Sequence, residues 1–240
     1  MPIFEQNDVR IHYQETGSGF PVLLFAPGGM KSAISVWERM PWNPIETLSP
    51  HFRVIAMDQR NAGQSSAPIS GADGWPSYTG DHLGLLEKLE IDRCHLLGCC
   101  IGGSYSLGLM QAAPEKIAAG VLVQPIGSTD ENREAFYAMF DEWADELKPS
   151  MPDVSPQDWH AFRSHMYDAD FVYNVSRDFV SQCNIPMLIL QGNDLYHPSR
   201  ISQEIADLAP QASLIEEWKD GDALDASAKA VVDFLQENSR

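Results

Sequence analysis

The pentapeptide Gly98-Cys99-Cys100-Ile101-Gly102 follows the apolar run Cys94-His95-Leu96-Leu97 and sets Cys100 between two glycines at G-x-Cys-x-G spacing. That spacing suits a nucleophile held in a strained strand-to-helix turn, where residues lacking a side chain let the backbone fold tightly. Gly103-Ser104-Tyr105-Ser106-Leu107-Gly108-Leu109-Met110 then reads as a helix with small residues at its start. A thiol at a helix N-terminus feels the positive end of the macrodipole, which favours thiolate. A buried, inert cysteine in a glycine-rich turn carries the same signature, because free cysteine is among the most buried residue types. Cys99 beside Cys100 offers a vicinal pair, but adjacent cysteines bridge only with strain. No Cys/His spacing matches a metal site and Gly28-Gly29 lacks the pattern of a nucleotide loop, so neither metal nor cofactor is expected.

The elements that must hold Cys100 are legible as short apolar runs. Ile3-Phe4-Glu5 and Val9 to Glu15 alternate with period two around Asn7-Asp8 and predict an antiparallel hairpin. Val22 to Ala26, Phe52 to Met57, Cys94 to Leu97, Ala119 to Val123, Pro186 to Leu190 and Ala212 to Glu216 follow. Runs apolar on both faces are what a parallel sheet covered by helices requires. Helical spacing lies between them at His82 to Leu89, and again from Ala228 to Leu235. The fold class is therefore α/β, a mostly parallel doubly wound sheet. From Gly127 to Gln182 there is no clear strand, only helical patches at Arg133 to Leu147 and Trp159 to Met166 punctuated by Pro149, Pro152 and Pro156. The expected organisation is a core of residues 1–126 and 183–240, with 127–182 inserted as a small helical cap.

Composition narrows the function. At 240 residues, 44% of them hydrophobic, the chain can bury the core of one domain. The first residues show no secretory signal and no run of about 18 apolar residues occurs, so no membrane association is expected. Four cysteines, three of them clustered, suit a reducing cytoplasm better than a disulfide scaffold. Against 16 basic residues stand 34 acidic ones, a net charge of -18 that repels phosphate backbones and disfavours nucleic acid. The expected partner is a small-molecule substrate, and a homodimer is left open.

Four motifs in order give the chain a resemblance to the α/β hydrolases over nearly its whole length. Ala26-Pro27-Gly28-Gly29-Met30 follows the first central strand; Asp58 to Ser65 resembles the family's D-x-R-G-x-G-x-S stretch; the Cys100 elbow is third; Gln191-Gly192-Asn193-Asp194 is fourth. The elbow itself is similar to the G-x-C-x-G-G box of polyhydroxyalkanoate synthases, and cysteine nucleophiles also occur in dienelactone hydrolases. The resemblance implies an oxyanion hole from the amide of Ile101 and one of Gly28 or Gly29, and Asp194 as the acid of a triad. It also places a histidine after the last strand, but Glu217 to Leu224 holds none and no histidine follows His197. His197, three residues after Asp194, is the leading replacement, ahead of His160 and His165 in the cap. His82, expected to open a helix, and His95, inside a strand, read as structural, and His12 and His51 as distant from the site. Trp75, Phe136 and Phe140 are the rings expected at a substrate pocket. A thiolate can attack without a base, so loss of the usual histidine is compatible with a cysteine. The implied activity is hydrolysis or transfer of an acyl group from a small ester, lactone or thioester. The alternative is a non-catalytic small-molecule binding protein.

Overall fold

A computed structural model describes residues 2–239 of the chain. All of the expected strands form, and they join in one eight-stranded sheet. They are β1 (Ile3–Gln6), β2 (Val9–Thr16), β3 (Pro21–Phe25), β4 (Arg53–Met57), β5 (Cys94–Cys99), β6 (Ile117–Val123), β7 (Met187–Leu190) and β8 (Ala212–Ile215). Their spatial order is β1-β2-β4-β3-β5-β6-β7-β8, with the β1–β2 and β2–β4 pairings antiparallel and the other five parallel.

Alternation along the central strands divides the apolar residues between two layers. Leu23 and Phe25 face one side, where they join Leu96, Tyr105, Leu85 and Phe136; Val22 and Leu24 face the other, with Leu48, Val54, Leu97 and Leu235. The first layer is covered by α2 (Trp75–Lys88) and α3 (Ile101–Ala112), the second by α1 (Pro44–Leu48) and α8 (Gly221–Glu237). Helix α3 is buried from Ile101 to Met110, which accounts for its small residues: a larger side chain has nowhere to go. His82 lies within α2, not at its start. The helix begins at Trp75, because Gly74 caps it and Pro76 suits a first helical turn.

Between β6 and β7 the chain forms α4 (Arg133–Leu147), α5 (Pro156–Tyr167) and α6 (Arg177–Gln182) and no strand. Phe140, Trp143, Phe162 and Tyr167 of this segment belong to the same apolar cluster as one face of the sheet. It is tied down by polar contacts to loops at the carboxyl edge. The Trp143 indole donates to Asn61 O (3.1 Å), the Trp75 indole to Met166 O (2.9 Å) and the Gly71 amide to Asp158 Oδ1 (2.9 Å). The Asp58 motif is a structural joint. Its carboxylate accepts from the Ile34 and Gln64 amides and pairs with the buried His12, while Arg60 holds Asp73 and Asp81. After β8, α7 (Ser199–Leu208) having intervened, the chain turns through Trp218 into α8.

Candidate active site

Strand order reverses between β3 and β5: from β3 the chain goes to β4 on one side and then to β5 on the other. Loops after two such strands diverge and leave a crevice at the carboxyl edge, where open α/β sheets bind ligands. Gly28-Gly29 follows β3 and Cys100 follows β5, so topology sets both sequence candidates at that crevice.

Cys100 caps α3 with φ 59° and ψ -120°, a conformation that costs energy for a residue with a side chain. The flanking glycines are compulsory. A Cβ on Gly98 would lie 2.0 Å from Gly102 O, and one on Gly102 would lie 2.3 Å from Phe25 O. Cys94, Cys99 and Cys183 are buried, and Cys100 alone of the four cysteines keeps partial exposure. Burial opposes ionisation of its thiol, but the charge of His197, its hydrogen-bonding contact and the amides of Gly28 and Ile101 outweigh that and hold the pKa below the ordinary value. The neighbouring Cys99 has no such help and burial pushes it far up.

His197 is brought to Cys100 by the loop after β7. Its Nδ1 lies 2.8 and 2.9 Å from the two carboxylate oxygens of Asp194, which also accepts from the amides of Tyr196 and His197. Gly192 lets this turn close, since a Cβ there would meet His197 O at 2.3 Å. The loop after β8 braces it: the Trp218 indole donates to Gln191 O (2.8 Å) and Lys219 Nζ to Asn193 Oδ1 (2.9 Å). Nε2, the other ring nitrogen, is buried and completes no hydrogen bond, while Cys100 is close enough to act on the ring's charge. Burial lowers the imidazole's pKa, but Cys100 and Asp194 more than reverse it, to about 9. Asp194 is held below the usual carboxylate value, desolvation being outweighed by His197.

The remaining candidates fall elsewhere. His165 Nδ1 bonds to Asp73 O (2.9 Å) and His160 is exposed beside Arg163. His82 and His95 are fully buried, in α2 and β5. Gly28 is the glycine whose amide reaches the sulfur, and Gly29 instead lies under Met139. Phe140 packs among Trp143, Phe162 and Tyr167, inside the helical segment. Trp75 stands edge-on to Tyr105 at 5.4 Å, and Phe136 stacks on Tyr167 at 5.3 Å. Both tyrosines are close enough to Cys100 for its charge to act on them, and no motif in the sequence marks either. Among the described residues, no three His, Cys, Asp or Glu side chains are grouped to hold a metal, and no helix is long and apolar enough to cross a membrane.

Comparison with known proteins agrees with this architecture. A family model described as alpha/beta hydrolase fold matches residues 21–154. The 2-hydroxy-6-oxo-2,4-heptadienoate hydrolase of Pseudomonas putida is 29% identical over 147 residues, 61% of this chain and 50% of that protein. The chain thus spans about half the length of the curated relatives it matches. Among solved structures, the enol-lactonase of Burkholderia xenovorans LB400 superposes with a TM-score of 0.74 at 24% identity, over 98% of this chain and 100% of that one. A meta-cleavage product hydrolase from Pseudomonas fluorescens IP01 gives 0.71 at 23%, over 95% of each. These structures share the fold.

Proposed function

Since this chain belongs to the alpha/beta hydrolase fold family, we propose that it is an acyl hydrolase or acyltransferase working through a Cys100 thiolate on a small ester, lactone or thioester. The pairing of Cys100 with His197 carries this proposal: one thiol is lowered while one imidazole is raised, the signature of a thiolate–imidazolium pair. Relatives named as hydrolases of a small oxo-dienoate and of an enol-lactone support the reaction class.

The steps follow from the geometry. Cys100 Sγ attacks the carbonyl carbon, a C–S bond forms and the carbonyl π pair moves onto oxygen. The amides of Ile101 and Gly28 receive that oxyanion, each such donor being worth about 10²–10³ in rate. When the bond to the leaving group breaks, the leaving atom takes a proton from His197 Nε2. Asp194, bound to Nδ1, fixes which nitrogen is presented and stabilises the imidazolium. The imidazole, now neutral, removes a proton from water as it attacks the thioester, and Cys100 departs as thiolate; an alcohol or thiol in place of water gives transfer. Residues 127–182 act as a cap that shields the crevice, with 1–126 and 183–240 as the core. Four free cysteines suit work in the cytoplasm.

The test is formation of the acyl-enzyme. With p-nitrophenyl butanoate, a burst of p-nitrophenol and a butanoyl mass increment on the Cys100 peptide are expected, and Cys100→Ala abolishes both. Saturable binding of the ester with no adduct would replace the hydrolase reading with that of a binding protein.

A further inference from the structure

Three buried tyrosine hydroxyls, two of them within reach of the Cys100 charge, lack the partners that buried hydroxyls need. Tyr78 of α2, Tyr105 of α3 and Tyr167 at the end of α5 are exposed by 0%, 1% and 0%, and none of their hydroxyls completes a hydrogen bond. The rings of Tyr78 and Tyr105 stack with centroids 5.0 Å apart. Tyr78 acts electrostatically on both other hydroxyls, and so does the charge of Cys100. Elements from three separate parts of the chain therefore bring unpaired hydroxyls together, and those of Tyr105 and Tyr167 lie within reach of the Cys100 charge. Phenylalanine would fill the same volumes without the desolvation cost of an unpaired hydroxyl. Even a bond formed between Tyr78 and Tyr105 would leave donors over. Burial raises all three phenols, so they stay neutral and can donate.

Charge decides what they can receive. The thiolate already supplies one negative charge, and His197 is matched to it and to Asp194. Arg60, 5.7 Å from the Tyr78 ring centroid, is held by Asp73 and Asp81. Arg133, beside Tyr167, directs its donors to Tyr167 O, Asp168 O and Ser128 Oγ, so a buried carboxylate would arrive with no cation aimed at it to offset its lost water. A neutral oxygen needs only donors.

Resting on the acyl-hydrolase reading, we propose that Tyr78, Tyr105 and Tyr167 form a subsite for an uncharged ketone or hydroxyl oxygen on the acyl part of the substrate. The preferred substrates are then oxo- or hydroxyacyl esters, lactones or thioesters. Trp75 against Tyr105 and Phe136 against Tyr167 supply apolar walls around that oxygen.

Tyr105→Phe and Tyr167→Phe remove the oxygen and keep the ring. If the hydroxyls serve a ligand, the melting temperature stays level or rises. A fall of more than about 5 °C would mean that they hold the fold, and would overturn the proposal. Binding is read by quenching of tryptophan fluorescence in Cys100→Ala protein, where no chemistry intervenes, with 4-phenyl-2-butanone and n-butylbenzene as matched probes. Each Tyr→Phe change is expected to weaken the ketone about 5–20-fold and leave the hydrocarbon within about twofold, the loss expected for one hydrogen bond. Equal effects on both probes, or none on the ketone, overturn the subsite. This readout does not depend on turnover. Failure of p-nitrophenyl butanoate to acylate Cys100 sinks the hydrolase reading, while the probe pair still decides the subsite.

Discussion

The proposed thiolate–imidazolium pair makes Cys100 and His197 one coupled unit, so their behaviour is best tested together. With His197 in place, the rate of iodoacetamide labelling at Cys100 should inflect below the ordinary thiol pKa of ~8.5. In His197→Gln, burial acts with only the two amides opposing it, and the inflection should move upward. An unchanged profile would remove His197 as the partner. Cys94, Cys99 and Cys183 serve as internal controls: each is buried and raised, Cys94 to about 12, so their labelling should be slow. The leaving group separates the two roles proposed for His197, as acid and as the group that ionises the thiol. An alkoxide needs a proton as it departs and p-nitrophenolate does not, so His197→Gln should cost about 10²–10⁴ on ethyl butanoate and far less on the p-nitrophenyl ester. The imidazolium is lost as pH rises through about 9, and alkyl-ester turnover should fall there. Equal losses on both esters would mean that His197 does not protonate the leaving group.

At the scale of elements, the elbow works by backbone contact between β3, β5 and α3. Gly102→Ala would thrust a Cβ to 2.3 Å from Phe25 O, where the obstacle is main chain and cannot swing aside. A cost of about 2–4 kcal/mol is expected, enough to lower the melting temperature by roughly 5–15 °C. Gly80→Ala is the matched control: it lies inside α2 with nothing within 4 Å of the new Cβ, and should stabilise by about 0.5–1 kcal/mol. Comparable melts for the two variants would show that the elbow tolerates a side chain. This turn was legible in the sequence because its constraint is local, two glycines around one residue. The strands were legible because burial on both faces leaves an uninterrupted apolar run. The start of α2 was not, because Gly74 and Pro76 are both turn formers and helix-initiating residues, and only packing of Trp75 on Tyr105 decides between them. His197 is legible as a candidate from its place three residues after Asp194, but its approach to Cys100 is set by the three-dimensional arrangement of strands. It depends on β6 standing between β5 and β7, which sets the His197 loop two strands, roughly 10 Å, from the elbow before the Asp194 turn brings it back. The tyrosine cluster is hidden for the same reason, since its three rings come from helices that meet only once the sheet has folded.

For the whole molecule, the buried histidines set how stability responds to acid. His82 in α2 and His95 in β5 are 0% exposed, and burial holds their pKa values at about 3 and about 4. In the unfolded chain both return to ~6.5. Below pH 6.5 the unfolded state therefore binds up to two protons that the folded state refuses, and the stability these groups contribute above 6.5 is lost as pH falls toward 4. The slope of unfolding free energy is about 2.7 kcal/mol per pH unit at its steepest. His197, with its pKa raised to about 9 in the folded state, opposes this slope only near pH 6.5, where the unfolded imidazole is still half neutral, and contributes little below about 5.5. His82→Gln puts a neutral side chain beside Gln59, the present partner of His82 Nε2, and should halve the slope whatever it does to stability at pH 7. Urea unfolding at pH 4.5, 5.5 and 6.5 measures this directly. A variant with the full wild-type slope would mean that the core accommodates a protonated His82 and that acid acts on the fold elsewhere.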